Sequence, residues 1–336
     1  MSTPGPREHE PLRSVKALLD QTDEVLRRGE AAGATVWSTG FPALDQTLTG
    51  GFRSGELVLL GGPQGNGKTT IGLQFARTAV ARGGSAIVFS YEHEAHTLLE
   101  RLLALEAAEA EPIEAASVHE VRRSLESGSA GASLQTVLSG LRGGIEAYAA
   151  LTRYGDRLQL HESSGVTTTL DEIARVIRTV AAGGPPPVVL VDYLQKVPVP
   201  GAAEDERITT AAEGLKDLAL EIGVPIIAIA AADKASLGAG HRMRTHDLRG
   251  TSSLAYEADV VLILSDKVDV VSREHLVYDL GNVQRFREWS VVSVEKNRHG
   301  RAGLELEFTK DFEHGRFHPE GRLVAERLID ERVIVT

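Results

Sequence analysis

Apolar residues recur along this chain in two rhythms. Short unbroken runs read as buried strands: Leu57-Val58-Leu59-Leu60, Ser85 to Tyr91, Val188 to Val191, Val224 to Ala230 and Val260 to Leu264, with a shorter one at Leu158 to His161. Between them, apolar positions three and four apart predict helices over Thr70 to Ala81, Ala95 to Ala108, Leu170 to Ala182 and Ile208 to Ile222. The Ala- and Ser-rich section from Glu111 to Ala150 reads as mostly helical, with a break around Ser127 to Ala132. Pro185-Pro186-Pro187 interrupts the chain just before a strand, and Ser236 to His246 is a Gly- and Arg-containing loop. From about His275 to Phe317 the pattern turns to β, with Leu276-Val277-Tyr278, Ser290 to Val294 and Leu304 to Phe308.

Apolar strands alternating with helices predict an α/β fold. Its central sheet is mostly parallel, flanked by helices on both faces and extended by antiparallel strands at the C-terminal end. Ligands of such sheets bind at the carboxyl ends of the strands. Ahead of this domain, Leu12, Val15, Leu18, Leu19, Val25 and Leu26 fall near a 3.6-residue period within an otherwise charged segment. The expected division is a disordered tail over 1–11, an amphipathic helix over 12–34, one domain over 35–320 and an extension over 321–336, with no internal repeat.

Composition narrows this picture. The 336 residues suffice for one large domain, and 42% hydrophobic content is ordinary for a globular protein. No apolar run approaches a membrane span, and Met1 to Pro11 is polar with no signal-peptide core. A cytoplasmic location without a membrane partner is expected. The absence of cysteine excludes disulfides, thiolate zinc sites and thiol catalysis. A net charge of −11 argues against coating DNA by bulk charge. It leaves room for a ring or groove with its cations on one inner surface. The 11 histidines are scattered, and His93 and His96 have no convincing metal partners.

The chemistry starts at Gly62-Pro63-Gln64-Gly65-Asn66-Gly67-Lys68-Thr69, which fits G-x-x-x-x-G-K-[ST] in full, between a strand and a helix. Glycines let the backbone turn several N–H groups toward one anion, and the helix N-terminus adds partial positive charge. Lys68 is expected on the β- and γ-phosphates, Thr69 on Mg²⁺, and Thr70 completes the nucleotide-binding set. Val188-Val189-Leu190-Val191-Asp192 is an apolar strand ending in a carboxylate, the position that supports the metal in such proteins. The strand after the loop's helix ends at Tyr91-Glu92, so Glu92 is expected beside the γ-phosphate as the base for an attacking water, with Glu94 the alternative. Lys296 and Arg298, two apart on an extended chain, present two cations to one side.

Together these stretches resemble the RecA-like ATPase domain of the DnaB-type replicative helicases, superfamily 4. The resemblance rests on Ser38-Thr39-Gly40-Phe41-Pro42-Ala43-Leu44-Asp45, the phosphate loop, Phe89-Ser90-Tyr91-Glu92 and Val191-Asp192-Tyr193-Leu194-Gln195. Asp247-Leu248-Arg249, Glu257-Ala258-Asp259 and Lys296-Asn297-Arg298-His299-Gly300 follow in the same order. It implies an ATP- and Mg²⁺-dependent hydrolase of DNA helicase type. Sites would lie between subunits of a hexameric ring that acts on single-stranded DNA in replication or repair, with loader or other replication proteins as partners. Lys68, Glu92, Lys296 and Arg298 would be catalytic, Arg298 reaching the neighbouring subunit's γ-phosphate. The loop Leu237 to Ser252, with His241, Arg242, Arg244, Arg249 and Gly250, would hold the DNA backbone. The helix over 12–34 resembles the family's linker helix, which docks on the adjacent subunit.

Two departures qualify the resemblance. Only residues 1–11 precede the linker-like helix, so the family's helical N-terminal domain is expected to be missing. Where the family has a Ser-Gln pair whose Gln senses the γ-phosphate, this chain has Ala230 and Ala231. The loop also lacks the usual glycine after Ser252. An alanine side chain cannot hydrogen-bond phosphate, which opens a second reading: a nucleotide-dependent regulatory or assembly ATPase, RecA/KaiC-like, without unwinding.

Overall fold

The unbroken apolar runs become strands buried on both faces. The computed structural model describes residues 12–128, 131–201, 203–233, 242–277 and 280–329. In it β1 (Val36–Trp37) and β2 (Phe52–Arg53) form a small antiparallel ribbon. The remaining strands form one sheet: β3 (Leu57–Gly62), β4 (Ser85–Ser90), β5 (Leu158–Glu162), β6 (Pro187–Asp192), β7 (Ile226–Ala231), β8 (Val260–Asp266), β9 (Trp289–Asn297), β10 (Leu304–Asp311), β11 (Arg316–Phe317) and β12 (Arg322–Leu323). Among the described residues the order is β5-β4-β6-β7-β3-β8-β9-β10-β11, with β12 also on β10. Strands β3 to β8 are mutually parallel, and β9 to β12 join by antiparallel pairing. This is the mostly parallel, helix-covered sheet with an antiparallel extension that the alternating pattern predicts, and it fits the fold that the resemblance implies.

Every residue of β3, β4 and β6 is buried, because helices cover both faces. Successive side chains alternate: Val58 and Leu60 face one core with Phe41, Phe75 and Phe308, while Leu57 and Leu59 face the other with Ile173, Ile208 and Leu215. The helix Lys68–Ala81 covers the first face, and Leu170–Gly183 and Glu204–Ile222 cover the second. The Ala-rich section forms helices Val118–Glu126, Leu134–Leu138 and Gly144–Tyr154, which pack on Ala95–Ala110 around Leu103, Val121 and Leu138. Ser117 starts the first of these with a capping box closed by Glu120.

One expected strand is absent. Leu276 and Val277 belong to the helix Glu274–Val277, followed by Leu280–Arg287; Tyr278 lies outside the described residues. Leu276 and Phe286 instead close a small core with Val270, Val271 and Leu328. Leu328 also shows that the described part of the C-terminal segment packs back on the domain, as does β12, where Arg322 and Leu323 pair with Glu307 and Leu306. The expected tail over 1–11 lies outside the described residues. The helix Val15–Arg27 buries no residue, and its Val15, Leu19 and Leu26 are exposed. No described helix is long and apolar enough to cross a membrane.

A buried charge pair ties the helical layers together. Glu106, 4% exposed, accepts Arg77 Nε at 2.5 Å and Nη2 at 2.9 Å, and the Tyr154 hydroxyl at 2.5 Å. Removing one partner of such a group leaves the other charge uncompensated. Glu106→Leu is expected to lower unfolding stability by about 3 kcal/mol, and Arg77→Met on that background should recover part of it. Urea denaturation of both variants measures this; a single variant as stable as the parent would contradict it.

Candidate nucleotide site

At the end of β3 the chain turns sharply into the helix Lys68–Ala81. Two glycines make the turn possible. Gly62 has φ 149°, and a Cβ there would sit 2.3 Å from the carbonyl oxygen of Leu264 on β8. Gly67 has φ 90°, and its Cβ would meet the Phe312 ring at 2.7 Å. No side chain caps this helix, so its first-turn amides keep their capacity for an external anion. Pro63, Gln64, Gly65 and Asn66 form the arch between the two glycines, with Gln64 and Gly65 exposed and Asn66 buried. Thr70, one turn in, is buried.

The side chains that the sequence singled out converge here. Lys68 Nζ donates to the carbonyls of Gly62 at 2.8 Å and Pro63 at 2.7 Å, folding its ammonium over the loop. Thr69 Oγ1 donates to Asp192 Oδ2 at 2.7 Å. Asp192 ends β6 and is followed by a cis peptide to Tyr193. The Tyr91 amide donates to the Asp192 carbonyl at 2.7 Å, which brings the exits of β4 and β6 together and sets exposed Glu92 nearby.

Electrostatics distinguish this corner. Burial pushes the Asp192 carboxyl up to about 6; the Thr69 hydrogen bond opposes this, Glu92 adds to it, and Lys68 and Arg101 oppose it. Burial also lowers Lys68, against the charges of Asp192 and Glu92. Arg101, on the helix Ala95–Ala110, is a member the sequence reading missed. The available signal was a lone guanidinium inside the Leu-rich run Leu98 to Leu105. Among the described residues no three His, Cys, Asp or Glu side chains cluster as a metal site. Thr69 and Asp192 supply only two oxygen ligands, a set that suits Mg²⁺ when phosphate oxygens and water complete its shell.

Lys296 and Arg298 lie at the other edge of the sheet. Asn297 on β9 pairs with Val260, and Val260 pairs with Val58 at the start of β3. The length of β3, about 17 Å at 3.3 Å per residue, separates them from the loop of their own chain. Arg298 Nη1 binds Asp259 Oδ1 at 2.9 Å, and its amide donates to the Asp259 carbonyl. Asp259, 2% exposed, also accepts Lys216 Nζ at 2.7 Å and the Leu57 amide at 2.9 Å. Lys296 Nζ donates to the carbonyls of Ala255 and Tyr256; burial, with Arg298 beside it, lowers its pKa.

The loop expected to hold DNA divides. Leu237 to His241 lie outside the described residues. Arg242 does not meet the expectation: it is 4% exposed, and its guanidinium is bound by Glu305 and by Ser293 Oγ, so the sheet's own carboxylate holds it inside. Arg244 pairs with Glu295 at 2.8 Å, the next carboxylate on the same surface. Arg249 is exposed and borders a cavity of about 570 Å³ shared with Tyr193, Gln195, Lys196 and Arg207. Gly250 starts the helix Thr251–Glu257 with φ 90°, tight against Ile208.

A family model described as the DnaB-like helicase C terminal domain matches residues 37–318. The chain is 24% identical over 303 residues to the replicative DNA helicase DnaB of Haemophilus influenzae, covering 89% of this chain and 58% of that protein. It is 27% identical over 337 residues to the same-named protein of Mycoplasma pneumoniae, covering 96% and 64%. The chain therefore spans about three-fifths of the length of these relatives. Among solved structures, the ATPase domain of G40P superposes with a TM-score of 0.69 at 18% identity, covering 90% of this chain and 98% of that one. A DnaB-like replicative helicase, solved in a study of its interactions with primase, gives 0.68 at 18%, covering 91% and 68%. A KaiC-like protein from Pyrococcus horikoshii gives 0.53 at 17%, covering 85% and 98%. Likeness at these identities shows the fold.

Because the pKa of Asp192 is raised, its neutral form is favoured in the fold. That contribution is full below the unfolded carboxylate value and is lost as pH rises through about 6. Asp192→Asn keeps an acceptor for Thr69 without the buried charge. The nucleotide-free variant is expected to be more stable than the parent at pH 7.5, by about 1–3 kcal/mol, with the gain shrinking toward pH 5. Denaturant unfolding at the two pH values tests this, and a gain independent of pH would refute the assignment.

Proposed function

The chain belongs to the DnaB-like helicase C-terminal domain family, and on that footing we propose that it is a helicase-type ATPase. It binds ATP with Mg²⁺ at the interfaces of a hexameric ring, hydrolyses it, and acts on single-stranded DNA in replication or repair, alongside loader or other replication proteins. The observation that carries this reading is the split of charged groups between the two sheet edges. Lys68, Thr69, Asp192 and Glu92 share the carboxyl edge, while Lys296 and Arg298 stand at the amino edge, beyond reach of their own phosphate loop. A ring brings one subunit's amino edge to its neighbour's loop.

Each residue then has a task. Lys68 exchanges the carbonyls of Gly62 and Pro63 for phosphate oxygens. Thr69 and Asp192 would hold Mg²⁺, which would supply charge neutralisation at the transferring phosphoryl group. Asp192 is committed to that task, which leaves exposed Glu92 to orient water and take its proton. Arg298, held ready by Asp259, meets charge on the neighbour's γ-phosphate, with Lys296 beside it. Arg249, with the Gly250 backbone, holds the DNA strand without reading its sequence. The exposed apolar face of Val15–Arg27 is the linker that packs on the next subunit. A second reading, a regulatory ring without unwinding, draws support from Ala231, whose side chain cannot sense phosphate.

Steady-state ATP hydrolysis with and without single-stranded DNA, against Lys68→Ala as the blank, separates the two readings. Stimulation by DNA is expected; hydrolysis indifferent to DNA would favour the regulatory ring, and turnover by Lys68→Ala would sink the site itself. Arg298→Ala is expected to lower turnover by about 10³-fold or more while leaving nucleotide affinity in place. Mixing Arg298→Ala with Glu92→Ala subunits should restore part of the activity, and no recovery at any ratio would count against a shared site.

A further inference from the structure

Past its pairing with β3, strand β7 continues on a second ladder. Ala232 pairs antiparallel with Leu248. The Asp233 amide donates to the Asp247 carbonyl at 2.8 Å, and the Arg249 amide donates to the Ala231 carbonyl at 3.0 Å. The segment carrying Arg249 is thus pinned backbone to backbone on the carboxyl end of β7. One side chain joins this ladder to the nucleotide site. Gln195, 5% exposed, lies in the short 3₁₀ turn Leu194–Lys196, three residues after Asp192. Its Oε1 accepts the Ala231 amide at 3.1 Å, and its Nε2 donates to the Arg249 carbonyl at 3.3 Å.

We propose that Gln195 is a positioning residue that carries the state of the Thr69–Asp192 pair to the Arg249 segment, with the Ala231 backbone doing what its side chain cannot. The inference rests on reading the Thr69–Asp192 corner as a nucleotide site. A carboxamide is a donor and an acceptor at once, so one side chain grips β7 through an N–H and the loop through a C=O. Leu194, next to it, is fully buried, so the turn has little room to absorb a displacement of Asp192. When Asp192 re-forms its contacts around a bound ligand, the displacement passes along three residues to the amide, and from there to Arg249.

The test is hydrogen–deuterium exchange on the full chain, with and without Mg²⁺ and a non-hydrolysable ATP analogue. In the parent, exchange over Thr245–Gly250 is expected to change by about fivefold or more on adding the analogue. Gln195→Ala should lose that response while analogue affinity, titrated separately, stays within about twofold. Gln195→Met, of similar length and uncharged, fills the same space but bonds neither Ala231 nor Arg249; it should lose the response while still unfolding in one cooperative transition, which guards against misfolding of the alanine variant. A Gln195 variant that binds the analogue and still responds would overturn the inference. So would affinity and response falling together, or a parent that binds the analogue with no change over Thr245–Gly250. A parent that does not bind the analogue at all would instead remove the nucleotide reading, and this inference with it. DNA is not in the assay, so failure of the DNA reading leaves the inference standing.

Discussion

A parallel sheet has two chemically different edges, and β3 runs between them. Its first residue, Leu57, gives its amide to the buried Asp259 carboxylate; its last, Gly62, opens the phosphate loop. Every parallel neighbour exits at the same edge, so Gly62, Ser90, Asp192 and Ala231 end side by side. That edge gathers the loop amides, a helix N-terminus and the carboxylates, which suits a phosphate with its cation. The opposite edge gathers Asp259 with Lys216, Lys296 and Arg298. Were those cations to serve phosphate chemistry, no folding of a single copy would bring them there, because the strand between is a rigid spacer buried on both faces.

The corner that would receive phosphate is electrostatically unsatisfied. Burial pushes Asp192 toward its neutral form and Lys68 and Arg101 likewise away from charge. Each charge has opposite charges near it, yet desolvation is the largest influence on all three. A structural ion pair such as Arg77–Glu106 is different: its two groups meet in a bidentate contact that uses up both. Lys68 instead spends its donors on the two loop carbonyls Gly62 and Pro63. Strained charge beside flexible, replaceable contacts is what a binding site needs, because a ligand supplying both anion and cation relieves all three groups at once.

What the sequence could tell follows from range. The phosphate loop and the strand before Asp192 were legible because their signals are local: glycines at positive φ, a run of apolar residues, a carboxylate at its end. The helices of the domain matched their expected spans within a few residues for the same reason, while the helix expected over 12–34 runs only from Val15 to Arg27. Arg242 was not legible. Its fate is set by Glu305, 63 residues away, and nothing near Arg242 distinguishes it from a solvent-facing cation. Leu276-Val277 carried β preference, yet they lie in a helix whose Leu276 packs in a small core with Leu328, 52 residues along the chain. Gln195 was quoted as part of a motif, but its two partners, Ala231 and Arg249, are brought together only by the second ladder on β7.

The internal use of cations bears on how any nucleic acid would be held. Arg242 and Arg244 serve Glu305 and Glu295, Lys267 serves Glu307 and Glu326, and Arg316 serves Asp311. Among the described residues, Lys196 and Arg249 are exposed at the cavity beside the loop. Were these two to meet a phosphate backbone, each neutralised phosphate would contribute little at physiological salt. A ring changes that balance: repeated weak contacts along one strand add through effective concentration, while each lets go easily. Under the proposed ring, such contacts would suit a repeating element better than a single-site binder, in keeping with the separation of the two sheet edges.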